Sequence, residues 1–256
     1  MKTQKKLWSA LAALCVATGT VAQPAYNYSK LQKEQLGRGV VAIRENPLDV
    51  VVSWRYLSSD PINTSFNVYR NGEKIAEVPH STGTFYRDTY SGNEKAVYTV
   101  KPVINGVETG KLNGNYTLPA NAPSGYIDIP LDRPAEGVTP SGQKYTYSPN
   151  DASIGDVDGD GEYEIILKWD PSNAHDNAHD GYTGNVYFDC YRLTGEKLWR
   201  IDLGHNVRAG AHYTQFMVFD LDGDGKAEVV MKTSDGTKDG KGTVSYTHLR
   251  AHETLS

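Results

Sequence analysis

A nine-residue acidic motif occurs twice in this chain and restricts its fold more than any other feature. It reads DVDGDGEYE at 156–164 and DLDGDGKAE at 220–228, so the copies are 64 residues apart (220 − 156 = 64). Each copy runs into an apolar segment that ends in a lysine, at 165–168 and 229–232. The glycines permit a sharp turn, and a short apolar run after a turn predicts a strand. The chain therefore contains a repeated unit of turn and strand.

The alternating carboxylates of the motif are typical of a site for a hard cation. Three aspartates at alternate positions supply the oxygen ligands that calcium prefers. An EF-hand would need a glutamate at loop position 12, where this chain has Leu167 and Met231. The glutamate lies at position 9 instead, and a β-type run follows. The sequence predicts two calcium sites, each formed by four side chains and the main-chain carbonyl of the seventh residue. The first set is Asp156, Asp158, Asp160, Glu164 and the carbonyl of Glu162, and the second is Asp220, Asp222, Asp224, Glu228 and the carbonyl of Lys226.

A metal-free turn between strands is the alternative for each loop. Several carboxylates held this close repel one another unless a cation neutralises them. Calcium is therefore favoured, and sites of this kind more often stabilise a fold than carry out catalysis.

The composition favours an all-β protein with many turns. The chain has 25 glycines and 17 tyrosines but no long helical pattern. Its net charge of −5 gives no indication of a nucleic-acid partner.

The amino terminus has the features of a secretory signal. Lysines at positions 2, 5 and 6 precede a mostly apolar segment at 7–21, and small residues before Gln23 suggest cleavage after residue 22. The segment is too short to predict a membrane span. We therefore expect residues 1–22 to be a signal peptide and the protein to be extracytoplasmic, either periplasmic or secreted. The mature chain would keep one cysteine, Cys190, and no intrachain disulfide.

Residues 37–118 predict a small β-sandwich similar to a fibronectin type III module. Short strands recur at 50–54, 66–70, 74–76, 85–88 and 97–101. Asn71-Gly72 and Asn105-Gly106 predict hairpin turns between them. Trp54 and Tyr98 are the predicted core aromatics.

A proline-rich connector at 119–149 is predicted to be extended and poorly paired. After it, strands at 152–157, 163–169, 185–193 and 197–203 predict one four-stranded propeller blade, and those at 215–221 and 227–233 begin another. A propeller closes only as a full ring, so 150–243 would be the first blades of a truncated propeller. We expect 244–256 to be an artefact, because 244–254 reads as the in-frame translation of a sequencing adapter.

Four further stretches, taken in order, resemble the rhamnogalacturonan lyases of polysaccharide lyase family 11. They read YSPNDASIGD at 147–156, KWDPSN at 168–173, GYTGNVY at 181–187 and RAGAHYTQF at 208–216. The resemblance implies a β-sandwich followed by an eight-bladed propeller that binds several calcium ions. It also implies cleavage of the rhamnose–galacturonate backbone of pectin by β-elimination, with a metal stabilising charge on the uronate carboxylate. Rhamnogalacturonan would be the partner, and the full-length enzyme is expected to be a monomer.

The resemblance places Asn150 and Asp170 at a cleft where substrate and calcium meet. Asn150 would contact the sugar or the metal shell, and Asp170 would ligate calcium or hold a hydroxyl. From the residues alone, Asn150 is a turn residue and Asp170 caps a turn before Pro171. The proton-abstracting groups are expected beyond residue 243, so this chain is predicted to be an inactive fragment.

Other polar residues have weaker interpretations. His175 and His179 could bind a metal, although a solvated loop is favoured. Arg208 is predicted to pair with an acid or a substrate carboxylate, and His212 to support packing. The rival function is a non-enzymatic calcium propeller used for adhesion or carbohydrate capture. The stretch 150–173 argues against it, because a mere blade does not require those residues.

Overall fold

The computed structural model describes residues 35–110 and 113–245, and all the regular elements within those ranges are β-strands. The predicted all-β class is therefore confirmed. The predicted signal peptide lies outside the described residues, as does 246–256 of the predicted artefact. Val244 and Ser245 are described, and the Ser245 amide donates a hydrogen bond to the Thr237 carbonyl (2.7 Å). Within the described ranges, no helix has the length and apolarity needed to cross a membrane.

The first eight strands form two antiparallel sheets. In chain order they are β1 (Val41–Arg44), β2 (Asp49–Ser53), β3 (Ser65–Arg70), β4 (Glu73–Val78), β5 (Phe85–Thr89), β6 (Ala96–Ile104), β7 (Val107–Glu108) and β8 (Gly114–Leu118). One sheet has the order β1-β2-β5, and the other has β4-β3-β6, with both β7 and β8 paired to β6. Both predicted hairpin turns are present, because Asn71 and Asn105 have positive φ angles of 50° and 51° and a glycine follows each.

Alternating side chains from both sheets form a single core. Trp54 is 5% exposed and Tyr98 is fully buried, as predicted, and the Trp54 ring meets the edge of Phe66 at a centroid distance of 5.4 Å. The other buried members are Val40, Ala42, Val50, Val52, Val68, Val78, Ala96, Val100 and Leu118. All of them come from the first eight strands or the residue before β1.

The second group of strands follows the connector. It comprises β9 (Gly137–Val138), β10 (Lys144–Tyr145), β11 (Tyr147–Gly155), β12 (Glu164–Pro171), β13 (Tyr187–Tyr191), β14 (Lys197–Asp202), β15 (Phe216–Phe219) and β16 (Glu228–Met231). Strands β11 to β14 form a four-stranded antiparallel sheet in chain order, and β15 pairs with β16.

The last part of the connector is more regular than predicted, whereas 119–136 contains no strand. Strands β9 and β10 pair with each other, and β11 begins at Tyr147, inside the predicted connector. Proline does not prevent this pairing, because Pro140 lies in the turn between β9 and β10. Pro149 lies on the edge strand β11, next to a β-bulge.

The pair β15–β16 repeats β11–β12 in register as well as in sequence. Gly155 faces Glu164 in the first pair, and Phe219 faces Glu228 in the second, each shifted by the same 64 residues (219 − 155 = 228 − 164 = 64). The second pair packs against the four-stranded sheet, where the rings of Phe188 and Phe216 meet at 4.8 Å. The two acidic motifs therefore occupy equivalent turns of two stacked units.

Candidate metal centres and strand-end site

The carboxylate of Asp156 organises the first acidic loop. Asp156 is fully buried and accepts hydrogen bonds from the amides of Gly159 (2.7 Å), Asp160 (3.1 Å) and Gly161 (2.9 Å). The chain can fold back around one side chain because Gly159 and Gly161 have φ angles of 80° and 91°, which favour glycine. The glycines of the motif thus have the turning role that the sequence predicts.

Three predicted ligands of the first loop converge. Carboxylate oxygens of Asp156, Asp158 and Glu164 all lie within 4.8 Å of one another. Glu164 is 1% exposed, and this burial, reinforced by the charges of Asp158 and Asp160, raises its pKa to about 7. Such a cluster of hard oxygen donors fits a calcium ion, whose charge would offset the cost of a buried carboxylate.

Asp160 lies outside this group of three. Its Oδ1 accepts a hydrogen bond from the Glu162 amide (2.9 Å), and its Oδ2 pairs with Nη1 of Arg192 (2.5 Å). Arg192 also pairs with Asp158 and lies 3.6 Å from Glu164. The sequence did not identify Arg192, because it follows β13, 28 residues beyond Glu164 (192 − 164 = 28), and no spacing rule links the two.

The second loop has the same internal geometry. Asp220 accepts hydrogen bonds from the amides of Gly223 (2.8 Å) and Gly225 (3.1 Å), and the Leu221 amide donates to Glu228 (2.8 Å). The carboxylates of Asp220, Asp222 and Glu228 again lie within 4.8 Å of one another. Asp224, like Asp160, lies outside the group, and its Oδ1 accepts from the Lys226 amide (2.9 Å). Equal geometry at both sites indicates that the motif itself dictates the loop.

The seventh residue of each loop points its side chain towards the unit before it. Oε1 of Glu162 accepts a hydrogen bond from the Gly39 amide (3.3 Å) in the segment before β1. Lys226 lies over Gly159 of the first loop, where a Cβ would come within 2.9 Å of its Cε. Only the main-chain carbonyls of these two residues were predicted as ligands, and their side chains are engaged elsewhere.

Asn150 and Asp170 lie on neighbouring strands at one end of the four-stranded sheet. Asp170 is the last residue but one of β12 and faces Ser148, and Asn150 lies in the bulge of β11 that follows. Asn150 is exposed and its Oδ1 accepts from the Asp151 amide (2.8 Å). Asp170 is partly buried, which raises its pKa, and its Oδ1 has no hydrogen-bond partner. Asp170 is therefore not held by an Asx-turn through this buried atom.

A buried lysine supports the bulge. Nζ of Lys168 lies 2.7 Å from Oδ2 of Asp151, and Lys168 is 3% exposed. Its positive charge also acts on Asp170, whose pKa it lowers against the larger effect of burial. The strand end thus combines a buried cation, two carboxylates and an exposed amide.

Behind this strand end lies a buried polar network that the sequence did not reveal. Asp189 is fully buried and accepts hydrogen bonds from Trp169 Nε1 (2.8 Å), the Tyr191 hydroxyl (2.6 Å) and Arg200 Nε (2.6 Å). These bonds fix Trp169, which lies between Lys168 and Asp170 on β12. The network therefore holds the strand that presents the candidate site.

One weaker interpretation needs correction, and another stays a prediction. Arg208 donates to the main-chain carbonyls of His179 (3.1 Å) and Gly181 (3.4 Å), and its pairing with an acid or a substrate carboxylate stays a prediction. His212 was predicted to support packing, but it is exposed. His175 and His179 stack edge to face at 6.3 Å, and His175 Nδ1 lies 2.8 Å from the Asn173 carbonyl. His179 is exposed, as expected for a solvated loop.

Comparison with known proteins identifies relatives along most of the chain. Residues 31–115 match the family model of the rhamnogalacturonan I lyases beta-sheet domain. Residues 126–252 match that of rhamnogalacturonan lyase family 11, C-terminal domain. Rhamnogalacturonan endolyase YesW of Bacillus subtilis (strain 168) is 51% identical over 248 residues, which are 95% of this chain and 38% of that protein. Rhamnogalacturonan exolyase YesX of the same strain is 54% identical over 215 residues, which are 84% of this chain and 34% of that protein.

Solved structures agree with these matches. The crystal structure of rhamnogalacturonan lyase YesW is similar with a TM-score of 0.75 and 55% identity, over 85% of this chain and 36% of that one. The Bacillus licheniformis rhamnogalacturonan lyase PL11 gives a TM-score of 0.73 and 54% identity, over 84% of this chain and 36% of that one. The chain thus spans 38% and 34% of the length of the two Bacillus subtilis relatives. Because both family models match in order and these relatives are so similar, the chain belongs to rhamnogalacturonan lyase family 11.

Proposed function

We propose that the protein carrying this chain is a calcium-dependent lyase that cleaves the rhamnogalacturonan backbone of pectin by β-elimination. The observation that carries the proposal is the strand end of β11 and β12, where Asn150 and Asp170 lie on neighbouring strands within the region that matches the family 11 model. The relatives are named as an endolyase and an exolyase, so the mode of cleavage is not part of the proposal.

The chemistry divides between binding and proton transfer. In β-elimination a base takes the C5 proton of galacturonate, a C4–C5 double bond forms, and the C4–O4 bond breaks with protonation of the departing oxygen. Bound calcium supplies positive charge beside the uronate carboxylate, which makes the C5 proton easier to remove. The Asn150 amide is exposed and would hydrogen-bond a sugar hydroxyl, and the partly buried Asp170 carboxylate would hold a hydroxyl or the metal. We assign no proton-abstracting residue to this chain.

The fold assignments belong to the same proposal. Residues 37–118 form a sandwich of the fibronectin type III kind, 119–149 connect it to the next unit, and 150–243 begin a calcium-binding propeller. The sheet β11–β14 is its first blade, and β15–β16 starts the second, because four antiparallel strands in chain order are the unit of a propeller. The two loops hold calcium through the residues predicted from the sequence. An extracytoplasmic, monomeric enzyme follows from the predicted signal peptide and the resemblance.

The direct test is the ultraviolet absorbance of the unsaturated uronate that β-elimination creates. Full-length protein is incubated with rhamnogalacturonan in calcium, and both chain length and absorbance are followed. Cleavage with rising absorbance supports the lyase, whereas cleavage without it indicates a hydrolase and contradicts the proposal. Binding without cleavage would support the rival adhesion function.

A further inference from the structure

The first acidic loop is the surface on which the sandwich rests. The Gly37 amide donates to the Gly161 carbonyl (2.5 Å), and the Gly39 amide donates to Oε1 of Glu162 (3.3 Å). Arg55, two residues after β2, lies 3.8 Å from the Glu162 carboxylate, and its guanidinium stacks 4.5 Å from the Tyr163 ring centroid. Residues at positions six to eight of the motif therefore all contact the sandwich side.

The orientation of this surface depends on the carboxylates of the candidate metal site. The Gly161 amide is bound to Asp156 Oδ2 (2.9 Å), and the Glu162 amide is bound to Asp160 Oδ1 (2.9 Å). The Gly161–Glu162 segment, which accepts hydrogen bonds from Gly37 and Gly39, is thus itself held by hydrogen bonds to two predicted ligands. The fit is close, because a Cβ on Gly161 would come within 2.9 Å of the Gly37 nitrogen.

We propose that calcium binding at the first loop holds the sandwich on the first blade. With the ion bound, the carboxylates are fixed, and the loop presents the Gly161 carbonyl to Gly37 and the Glu162 side chain to Gly39. Without it, Arg192 offsets only part of the negative charge of Asp156, Asp158 and Glu164, so these carboxylates repel one another, the loop loosens and the sandwich loses its docking surface. The first site is therefore a joint between domains, a role that does not depend on lyase activity.

The second loop provides an internal control, because its contacts lead elsewhere. The Ala227 amide donates to the Asp156 carbonyl (2.8 Å), and Lys226 packs on Gly159. Within the described ranges, no hydrogen bond or ion pair joins 220–228 to the sandwich. Loss of calcium from the second loop should thus leave the sandwich docked, even though the two loops have the same acidic side chains.

Hydrogen–deuterium exchange in full-length protein tests the coupling at the amides of Gly37 and Gly39, with calcium content measured in parallel. In calcium both amides should be protected, and a chelator should speed their exchange about tenfold or more. Asp158→Asn should make their exchange fast with or without calcium, whereas Asp222→Asn should leave them protected in calcium. Glu162→Ala, which keeps the main-chain carbonyl but removes the side-chain acceptor, should speed exchange at Gly39 while calcium stays bound.

Several results would overturn the proposal. Protection of Gly37 and Gly39 that survives removal of calcium from both loops would show that docking is independent of the metal. Equal effects of Asp158→Asn and Asp222→Asn would remove the special role of the first loop. If the amide of Val100 in the sandwich core exchanges faster by the same factor as Gly37, calcium stabilises the whole fold rather than the joint. A wild-type protein that binds no calcium contradicts it as well. The chelator experiment on wild-type protein decides the matter even if Asp158→Asn fails to fold.

Discussion

At the scale of single residues, Arg192 makes the two acidic loops unequal. Its guanidinium pairs with Asp158 and Asp160 and reaches Glu164, so the first cluster is partly neutralised by the protein itself. Within the described ranges no ion pair involves the second cluster. Because unneutralised carboxylates repel, the second loop should lose more order than the first when metal is removed.

We predict that Asp158→Ala and Asp222→Ala each lower the thermal stability of the protein in calcium. An ion that binds only the folded state at about 100 times its dissociation constant adds about 2.7 kcal/mol to the free energy of unfolding. Each variant should lose stabilisation of that order, and its melting temperature should respond less to a chelator. A variant that melts at the wild-type temperature in calcium and responds fully to chelator would show that its loop is not a site.

Asp170→Asn should affect activity far more than stability. Burial raises the pKa of Asp170, so its ionised form is disfavoured in the folded state and weakens the fold as pH rises above the ordinary aspartate value. The amide removes that cost, and we expect an unchanged or higher melting temperature at neutral pH. Activity should fall by about 100-fold, the typical loss when one oriented polar group is removed from an active site. Comparison with Asp158→Asn provides the control, because equal losses of rate and stability in both would make Asp170 structural.

At the scale of elements, a carboxylate on β7 of the sandwich binds side chains of two other strands, β3 and β6. Hydrogen bonds from Tyr69, Asn67 and Lys101 lower the pKa of Glu108 to about 2. A lowered pKa stabilises the fold above the ordinary glutamate value, and this contribution disappears as pH falls towards 2. Because the Glu108 carboxylate is partly solvated, we expect its ionisation to contribute about 1 kcal/mol or less to the free energy of unfolding.

Urea unfolding of wild-type protein and Glu108→Gln between pH 7 and pH 3 measures this contribution. The wild type should be the more stable protein at pH 7, and the difference should shrink as the pH is lowered. A difference that stays constant across the range would mean that packing, not charge, accounts for it.

On β14, Arg200 is the cation that balances the buried Asp189. Arg200→Met should destabilise the protein by roughly 3–5 kcal/mol, because it leaves a buried charge without its partner. Arg87→Met is the matched control, since Arg87 pairs with Glu45 at the surface and the loss should be about 1 kcal/mol or less. Equal effects of the two variants in denaturant unfolding would contradict the role given to Asp189.

The elements that local patterns encode were predictable. The alternation of buried and less buried residues in β2 and β6 and the Asn-Gly turns depend on neighbours in the chain. The acidic loops are likewise closed by hydrogen bonds within nine residues. What was missed depends on partners far along the chain. Arg192 reaches Asp160 across 32 residues, and the Gly39 amide reaches Glu162 across 123. Such contacts arise from the packing of whole elements, which spacing rules do not record.

At the scale of the whole molecule, the sandwich and the sheet units differ in how well they cover their own apolar surface. The sandwich core draws only on residues between Val40 and Leu118. By contrast, β15–β16 and its loop leave Met217, Phe219 and Leu221 at least half exposed, at 50%, 63% and 51%. Exposed apolar surface of this kind is typical of a face that another element covers.

We therefore predict that residues 35–118, expressed alone, fold into a monomer with one cooperative melting transition. Residues 150–243 expressed alone should aggregate or be degraded, since their apolar face and strand edges are uncovered. Circular dichroism melting and size-exclusion chromatography distinguish the two outcomes. A sandwich fragment without a cooperative transition, or a stable monomer of 150–243, would contradict this view.

The side chain at the seventh loop position has a consequence for how such a chain can lengthen. Glu162 meets the main chain before β1, whereas Lys226 meets a glycine of the previous loop, although the acidic side chains around both are the same. A gene that duplicates one 64-residue unit copies its ion-binding chemistry intact. The new copy then needs suitable residues at the few loop positions that contact the unit before it. Natural selection can thus add units while leaving the inherited loop unchanged.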